Sequence, residues 1–495
     1  MIRTKLAGRV GLALAAGIFF SGCDARQALT NKRIAETEHG LRRAVYLKGL
    51  KPEKLSLVDR MKFYQVPGVS LAVIDRSAVE WSRVYGDKDV LIHQPLAADT
   101  MFQAGAFSQM MTAAAALKLA EAGKVDLDAE IGTLLKTWKL PPPSETGLAG
   151  SRARVTLRGL LTHSAGLSDH VYVGYAQGDP LPTPFQQLDG VAPANGGPAW
   201  VPAAGKSALR TRYSEPGYVV AGQVLADASG MAVPALLETS IIGPLGLKNS
   251  TFALPLPDAL RSRAATGHTR EGQPVKGLWN NYPETAAKGL WTTPADFAAF
   301  LLDLLGAAAG RPGRILSQAA ARTMLSAQVE SSGFGFVVEG KGDDILFDLR
   351  GKTRGYACFM AVYPAKGQGA VIMTNSDNGF LLVQEIMAAL SGAYGWAHFK
   401  PEEKSVLRLD PGSYRDFSGT YEVNPNYRLE VAPEDYYLVI RPTGQAATKF
   451  YAESQTLFYS TDPYVRIQFL RNAKGDVEGL VLWQQDFEIE AKKIR

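Results

Sequence analysis

Few side chains in this sequence have the type and spacing that enzyme chemistry requires. The string Tyr213-Ser214-Glu215 places a phenol and a carboxylate two residues apart. That carboxylate could activate water, but one without a partner is weak support for a hydrolase. There is no Gly-x-Ser-x-Gly or His-Glu-x-x-His motif, and the phosphate-loop-like run 335–341 is followed by Gly342 instead of Ser or Thr. The six histidines show no ligand pair at helical spacing, so we expect no metal and no other cofactor.

The composition describes a folded protein of two or three domains. The chain has 495 residues, of which 46% are hydrophobic and 20% charged, so a large core is expected and disorder of the whole chain is excluded. Two cysteines cannot build a disulfide framework, and Cys358, in an apolar run, is expected to be a buried packing thiol. Lys and Arg number 53 against 48 Asp and Glu, without a basic stripe, which argues against nucleic acid as a partner.

The first 22 residues have the layout of an export signal. Three cations precede an apolar run from Val10 to Phe20, which is shorter than the about 20 residues of a spanning helix. The ending Phe20-Ser21-Gly22-Cys23 resembles the lipobox of bacterial lipoproteins, which implies that Cys23 is acylated and becomes the first residue. Asp24 follows and is similar to an inner-membrane retention signal. We therefore predict a lipid-anchored protein facing the periplasm, with a net charge lowered from +5 to +2 by cleavage of the signal. An ordinary secretory signal is the alternative.

Hydrophobic patterning predicts the elements that position the candidate residues. An apolar, β-branched run predicts a strand over 66–74, and small and apolar residues predict a buried helix from Gly105 to about Ala122. Further predicted elements are a helix over 294–305 capped by Thr292 or Thr293, a buried strand over 369–373 and a closing helix over 380–390. After about Pro401, short alternating runs separated by turns predict a small antiparallel barrel or sandwich. The predicted domains are a signal (1–22), a tether and first helix (23–50), a main domain (51–400) and an all-β domain (401–495).

Seven strings in the main domain occur together in one order. They are VPGVSLAVI at 66–74, LAEAGKVDLDAEI at 119–131, LLTHSAGL at 160–167, YSEPGY at 213–218, PLGLKNSTF at 244–252, KGLWTTPADFAAFLLDLL at 288–305 and VIMTNSDNG at 371–379. They resemble serine β-lactamase-like proteins, a group holding class C β-lactamases, D,D-peptidases and esterases. Over residues 50–395 the resemblance implies an α+β fold, with an antiparallel sheet flanked by helices and a helical subdomain closing the cleft. The string YRDFSGTY at 414–421 resembles a lipocalin-like barrel.

The resemblance also identifies the family's catalytic positions, and here they differ. The family uses Ser-x-x-Lys at the start of a buried helix, with the serine as nucleophile and the lysine as its base. Aligned on Phe102 and Gly105, this sequence has Ala106 for the serine and Gln109 for the lysine. The family's Tyr-Ser-Asn motif is Tyr213-Ser214-Glu215 here, so only Tyr213 is retained.

The third family motif, Lys/His-Thr/Ser-Gly, aligns with Leu349-Arg350-Gly351, whereas Lys352-Thr353 is out of register. The resemblance implies that the backbone N–H groups of Ala106 and Lys352 form the oxyanion hole. The resemblance implies that Glu215 and Arg350 face one pocket, so we expect an ion pair between them. In the alternatives, each of the two side chains points to solvent in an unused site, or Arg350 stays free and binds a ligand carboxylate.

No other residue restores the catalytic pair. Ser108 is about 200° around the helix from Ala106, with Met111 where a lysine would be needed, and His163 is expected to be a packed helix-end residue. Loss of a serine nucleophile typically costs on the order of 10⁶ in kcat. We therefore predict an inactive hydrolase homologue that binds a peptidoglycan fragment, another peptide, an acyl ligand or a protein partner. The alternatives are an active hydrolase using Tyr213 and Glu215, and a scaffold with an idle cleft.

Overall fold

The computed structural model describes residues 24–141, 155–167, 170–201, 211–484 and 487–494. The described chain divides into two compact units. One contains the residues up to Arg60 together with those from Leu381 onward, and the other is Met61–Phe380. The second unit contains all three aligned motif regions.

The helices are α1 (residues 24–39), α2 (Leu57–Tyr64), α3 (Phe107–Glu121), α4 (Ile131–Leu134), α5 (Leu157–Leu161), α6 (Pro184–Asp189), α7 (Glu215–Ser229), α8 (Val233–Leu237), α9 (Gly243–Leu245), α10 (Asp258–Arg261), α11 (Thr285–Lys288), α12 (Pro294–Ala308), α13 (Gln318–Met324), α14 (Gly379–Tyr394) and α15 (Pro411–Asp416). The strands outside the C-terminal region are β1 (Val45–Leu47), β2 (Gly68–Asp75), β3 (Ala78–Asp89), β4 (Gln94–Pro95), β5 (Phe102–Gln103), β6 (Trp291–Thr292), β7 (Val337–Glu339), β8 (Leu346–Thr353), β9 (Tyr356–Tyr363), β10 (Gln368–Thr374) and β11 (Glu402–Lys404). The C-terminal strands are β12 (Gly419–Asn424), β13 (Tyr427–Glu434), β14 (Tyr437–Pro442), β15 (Thr448–Ala452), β16 (Leu457–Thr461), β17 (Tyr464–Arg471), β18 (Val477–Gln484) and β19 (Phe487–Lys493).

A seven-stranded antiparallel sheet forms the centre of the second unit, in the order β4-β3-β2-β10-β9-β8-β7. The two strands predicted from apolar runs are its neighbouring central strands, β2 and β10, paired from Val69↔Thr374 to Ile74↔Gly369. Both are buried on both faces, which explains why their sequences are continuously apolar rather than alternating. Helix α12 packs across β2, β3 and β10 and is capped by Thr293, whose hydroxyl accepts the N–H of Asp296.

Helix α3 is buried along nearly its whole length by the helices around it. Alanines 113–116 have no exposed surface, and α7, α11 and α13 pack around the helix. Small side chains allow this close approach of helices, and the resulting burial fixes the start of α3 firmly. The predicted buried helix is therefore confirmed.

The C-terminal region forms a closed antiparallel barrel of eight strands, in which β12 pairs with β19. Aromatic rings fill its interior, with centroid distances of 4.5 Å between Phe417 and Phe469 and 5.5 Å between Phe458 and Phe469. The predicted all-β domain is thus a barrel, and its interior is a packed core.

No single helix among the described residues is long and apolar enough to cross a membrane. The pair Glu215–Ser229 and Val233–Leu245, bent by 75°, meets the length and composition requirements only when taken together.

Candidate functional site

The chain enters α3 through a tight corner that lies against strand β8. Gly105 has φ +55°, and a Cβ there would lie 2.5 Å from the backbone nitrogen of Lys352, so this corner requires glycine. A Cβ on Gly351 would lie 2.0 Å from the carbonyl oxygen of Ala104. The buried Ala106, which precedes the first helical residue of α3, is therefore fixed beside the β8 backbone.

The buried amide of Gln109, in the first turn of α3, is held from both sides. Its Nε2 donates to the Tyr213 hydroxyl at 2.8 Å, and its Oε1 lies 3.1 Å from Nε2 of His163. Nδ1 of His163 accepts the backbone N–H of Ser214 at 3.1 Å, which assigns the ring proton to Nε2 and makes that atom the donor to Gln109. Burial lowers the pKa of His163 to about 4, so the ring is neutral at pH 7.

Glu215, the first residue of α7, forms a buried ion pair with Lys288, the last residue of α11. Lys288 Nζ lies 2.9 Å from Glu215 Oε1 and also donates to the carbonyl oxygen of Tyr172 at 2.8 Å. The N–H of Tyr172 donates to Glu215 Oε2 at 2.7 Å. Burial raises the pKa of the Glu215 carboxyl, and the ammonium of Lys288 acts in the opposite direction. The carboxylate is therefore enclosed by protein groups.

These contacts form one directional chain of hydrogen bonds, in which His163 donates to Gln109 and Gln109 donates to Tyr213. The Tyr213 hydroxyl in turn donates to Glu215 Oε1 at 3.2 Å. Burial of that hydroxyl and the nearby carboxylate raise the pKa of Tyr213 well above its ordinary value. Although 40% of the Tyr213 surface is exposed, its hydroxyl is directed to buried partners. A phenolate able to act as base or nucleophile is therefore disfavoured.

The expected ion pair between Glu215 and Arg350 is wrong, because Lys288 pairs with Glu215. Side chains alternate along a strand, and Leu349 and Gly351 are buried whereas Arg350 is exposed. The Arg350 guanidinium lies 5.8 Å from the ring centroid of Phe380. Since Gly351 faces the corner that leads into α3, Arg350 projects from the opposite face of β8 and does not line the cleft there.

The other candidate residues are placed as follows. The buried Ser108 Oγ donates to the carbonyl oxygen of Gly105 at 2.7 Å and accepts the N–H of Leu290 at 3.0 Å, so it is engaged away from Ala106. Burial raises the pKa of the Cys358 thiol, as expected for a packing residue. Cys23 lies outside the described residues.

No group of three His, Cys, Asp or Glu residues within the described part of the chain is arranged to hold a metal ion.

Sequence reasoning missed Lys288 and Tyr172. Lys288 precedes the apolar run Leu290-Trp291 after two alanines, so a lysine within a buried pattern was a signal that a counter-ion was needed. Glu215, at the start of a mostly apolar helix, is the matching signal. Tyr172 contributes through its backbone, which no side-chain motif could reveal.

Comparison with known proteins decides the family. A family model described as Beta-lactamase matches residues 56–393, more than half of the chain. The chain belongs to the beta-lactamase family. Penicillin-binding protein 4 of Amycolatopsis lactamdurans is 25% identical over 389 residues, covering 72% of this chain and 94% of the relative. Monacolin J acid methylbutanoyltransferase of Aspergillus terreus is 27% identical over 231 residues, covering 42% of this chain and 53% of the relative. The octameric penicillin-binding protein homologue from Pyrococcus abyssi matches with a TM-score of 0.58 and 21% identity, covering 88% of this chain and 98% of that one.

Membership of the beta-lactamase family confirms the resemblance and the fold predicted from the sequence. The chain is a β-lactamase-like serine hydrolase homologue, and its relatives include a protein named for acyl transfer. In this beta-lactamase-like domain, Ala106 contributes a buried methyl group and Gln109 an amide that is hydrogen-bonded at both its nitrogen and its oxygen. Glu215 contributes a carboxylate that forms an ion pair.

Proposed function

We propose that this protein has lost serine-dependent acyl transfer and uses the remaining cleft to bind a ligand. The proposal depends on one observation: Ala106 stands at the nucleophile position and Gln109 stands at the base position. A methyl group cannot form an acyl-enzyme, and an amide cannot accept a proton at neutral pH.

The contacts around Gln109 support this proposal, because they suit a fixed binding surface better than proton transfer. Catalysis of acyl transfer needs a base that takes a proton and later returns it. Here His163 is neutral with a low pKa, and Glu215 is held by Lys288 and Tyr172. A buried network in which each polar group has a partner makes the surrounding structure rigid.

The ligand that we propose is the carboxylate or carbonyl end of an acylated peptide, such as a cell-wall fragment. Its oxygen would accept the backbone N–H groups of Ala106 and Lys352, which the family resemblance assigns to the oxyanion hole. The contact of Gly105 with the Lys352 backbone supports this assignment, because it brings the two chain segments together. The half-exposed Tyr213 ring would border the same cleft.

Covalent acylation of the full chain tests the loss of chemistry. After exposure to benzylpenicillin or p-nitrophenyl acetate, intact mass should show no stoichiometric adduct for the wild type. The double variant Ala106→Ser with Gln109→Lys should gain one, and adding Ser108→Ala should leave that adduct unchanged. A saturable wild-type adduct would refute the proposal, and its mapping to Tyr213 would favour an active hydrolase.

Thermal unfolding tests ligand binding separately. An N-acetylated peptide with a free carboxylate should raise Tm in a concentration-dependent way, because a ligand that binds only the folded state stabilises it. If neither a covalent adduct nor a rise in Tm is observed, the remaining function is that of a scaffold with an idle cleft.

We also propose that the protein is anchored through an acylated Cys23 and faces the periplasm. The charge, length and ending of residues 1–23 support this proposal. Two or three acyl chains would provide stable anchoring, since each buried CH₂ contributes about 0.8 kcal/mol.

A further inference from the structure

Glu284 and Gln187 form a buried contact in which one oxygen of each side chain lacks a donor. Glu284, immediately before α11, is 1% exposed, and Gln187, in α6, is 2% exposed. Nε2 of Gln187 donates to Oε1 of Glu284. Oε2 of Glu284 and Oε1 of Gln187 have no hydrogen-bond partner among the described residues, and each has less than 1 Å² of accessible surface. Because neither water nor a ligand can reach these oxygens, the protein itself has to supply the donor.

The cation that acts on Glu284 is already engaged. The ammonium of Lys288, four residues further along the chain, lies 2.9 Å from Glu215 Oε1 and donates to the carbonyl oxygen of Tyr172 at 2.8 Å. Two buried carboxyl groups therefore share one ammonium. A buried carboxyl group without a counter-ion of its own takes up a proton, because the neutral acid costs far less to bury than the anion.

A carboxylic acid and a primary amide are complementary hydrogen-bonding groups. The protonated carboxyl has one O–H donor and a carbonyl acceptor, and the amide has N–H donors and a carbonyl acceptor. A proton on Oε2 of Glu284 would provide the donor that Oε1 of Gln187 lacks, and it would turn the other orphaned oxygen into a donor. Burial and the neighbouring Glu215 raise the pKa of Glu284 from 4.5 to about 7, in agreement with this arrangement.

We propose that Glu284 is a neutral carboxylic acid paired reciprocally with Gln187, and that this pair is a pH-sensitive latch between α6 and α11. Ionisation releases the proton to water, removes the donor to Gln187 and places a second negative charge beside Lys288. Glu284 and Lys288 stand at i and i+4, a spacing at which Glu and Lys side chains pair. The ionised carboxylate therefore competes with Glu215 for the ammonium.

The latch is connected to the candidate site through α11. This short helix packs against α3 and α7, which carry Gln109 and Glu215, and it ends at Lys288. A rise in pH that draws Lys288 towards Glu284 therefore weakens the buried ion pair of the site. The latch is a property of the folded chain and does not depend on a ligand in the cleft.

The other groups around Glu284 do not replace its proton. The titratable and charged groups of this region are Glu215, Lys288, Tyr172, Tyr175 and Tyr282, together with Lys136 and Asp227 on the wall of an adjoining cavity. Burial raises the pKa of all three tyrosines, so they are neutral at pH 7. Lys136 Nζ donates to the carbonyl oxygen of Asp227 at 3.1 Å.

Urea unfolding at several pH values tests the protonation state. Between about pH 4.5 and 7 the folded state binds more protons than the unfolded state, so the contribution of Glu284 to stability is present at low pH and is lost as pH rises. Glu284→Gln is always neutral, and its amide can pair with Gln187 in the same reciprocal way. We expect equal unfolding constants for variant and wild type near pH 4.5, and about 10- to 100-fold less unfolding of the variant near pH 8.5.

Two further variants make this comparison specific. Glu330→Gln, at an exposed carboxylate, should differ from the wild type equally at both pH values. Tyr172→Phe removes the other internal donor, a buried hydroxyl without a hydrogen-bond partner in the part of the chain that the structure describes. We expect it to leave the pH dependence unchanged. If the Tyr172 hydroxyl instead served a charged Glu284, Tyr172→Phe and Glu284→Gln would both destabilise the protein near pH 8.5, which would overturn the proposal.

NMR of the full folded chain follows the latch directly. The carboxyl carbon-13 signal of Glu284, assigned by its loss in Glu284→Gln, should titrate near pH 7. The Lys288 ammonium signal should shift over the same pH range, and this shift should disappear in Glu284→Gln. A Glu284 carboxyl that titrates at its ordinary value would overturn the neutral acid, and a Lys288 signal that is insensitive to Glu284 would overturn the latch.

Discussion

The ammonium group of Lys288 lies 2.9 Å from Oε1 of Glu215, and both side chains are at most 3% exposed. Removing one partner of such a buried pair is costly, whereas replacing both by neutral groups is tolerated far better. The pair therefore explains how a carboxylate is accommodated in a buried position at the start of α7. It also leaves Glu215 unsuitable as a free general base.

Lys288→Met should destabilise the protein by about 3–5 kcal/mol, because Glu215 is left as an uncompensated buried charge. The double variant Lys288→Met with Glu215→Gln should recover most of that loss. Urea unfolding measures the unfolding free energy of both variants. The control is Lys248→Met, at an exposed lysine, whose unfolding free energy should stay within about 0.5 kcal/mol of the wild-type value. The loss of unfolding free energy caused by Lys288→Met should become smaller as pH falls, because a protonated Glu215 needs no counter-ion. A loss below about 1 kcal/mol at pH 7 would contradict the importance of the pair.

His163 should make stability depend on pH. Its folded-state pKa of about 4 lies below the ordinary 6.5, so the unfolded state binds more protons between these values. The contribution of neutral His163 to the unfolding free energy should be fully present above about pH 6.5. It should be lost progressively as pH falls towards 4, by up to about 3 kcal/mol. The variant His163→Asn, which cannot titrate, should show a shallower pH dependence of the unfolding free energy. Direct NMR titration should show Nε2 protonated and Nδ1 unprotonated at pH 7, and a ring that titrates near 6.5 would contradict the assignment.

The first unit contains a second buried ionic cluster, in which Arg60 bridges two carboxylates. Its Nε and Nη2 donate to Glu385 at 2.8 and 2.7 Å, and its Nη1 donates to Asp462 at 3.1 Å. Arg60→Met should cost about 3–5 kcal/mol of unfolding free energy. Arg60→Lys should recover only part of this, because an ammonium cannot reproduce the bidentate fork. Full recovery by lysine would show that charge alone is sufficient.

Cys23→Ser should release the protein from the membrane fraction while the folded domains remain intact. The physical reason is that serine lacks the thiol through which the proposed acyl chains would be attached. Fractionation and mass spectrometry of the N-terminal peptide check this prediction, with Cys358→Ser as the matched control. Retention of the serine variant in the membrane would contradict lipid anchoring.

Local patterns in the sequence were sufficient for the elements around the site. The strand predicted over 66–74 is Gly68–Asp75, the helix predicted from Gly105 to Ala122 is Phe107–Glu121, and the helix predicted over 294–305 is Pro294–Ala308. Continuous apolar runs, a threonine cap and a glycine at the helix end are signals contained within a few residues. The alternating runs after Pro401 likewise predicted the all-β domain, and motif spacing led to the family.

The partners of the site residues were decided only by the tertiary structure. The family resemblance placed Glu215 and Arg350 in one pocket, but whole-chain packing brings Lys288 to Glu215 and turns Arg350 to the other face of β8. Which distant side chains meet in a buried site depends on how helices and strands pack, and that information is spread over the chain. The sequence by itself therefore determined the family and the elements around the site. The folded structure determined that Gln109, Tyr213 and Glu215 join one chain of hydrogen bonds with His163, because buried polar groups take the partners that packing provides.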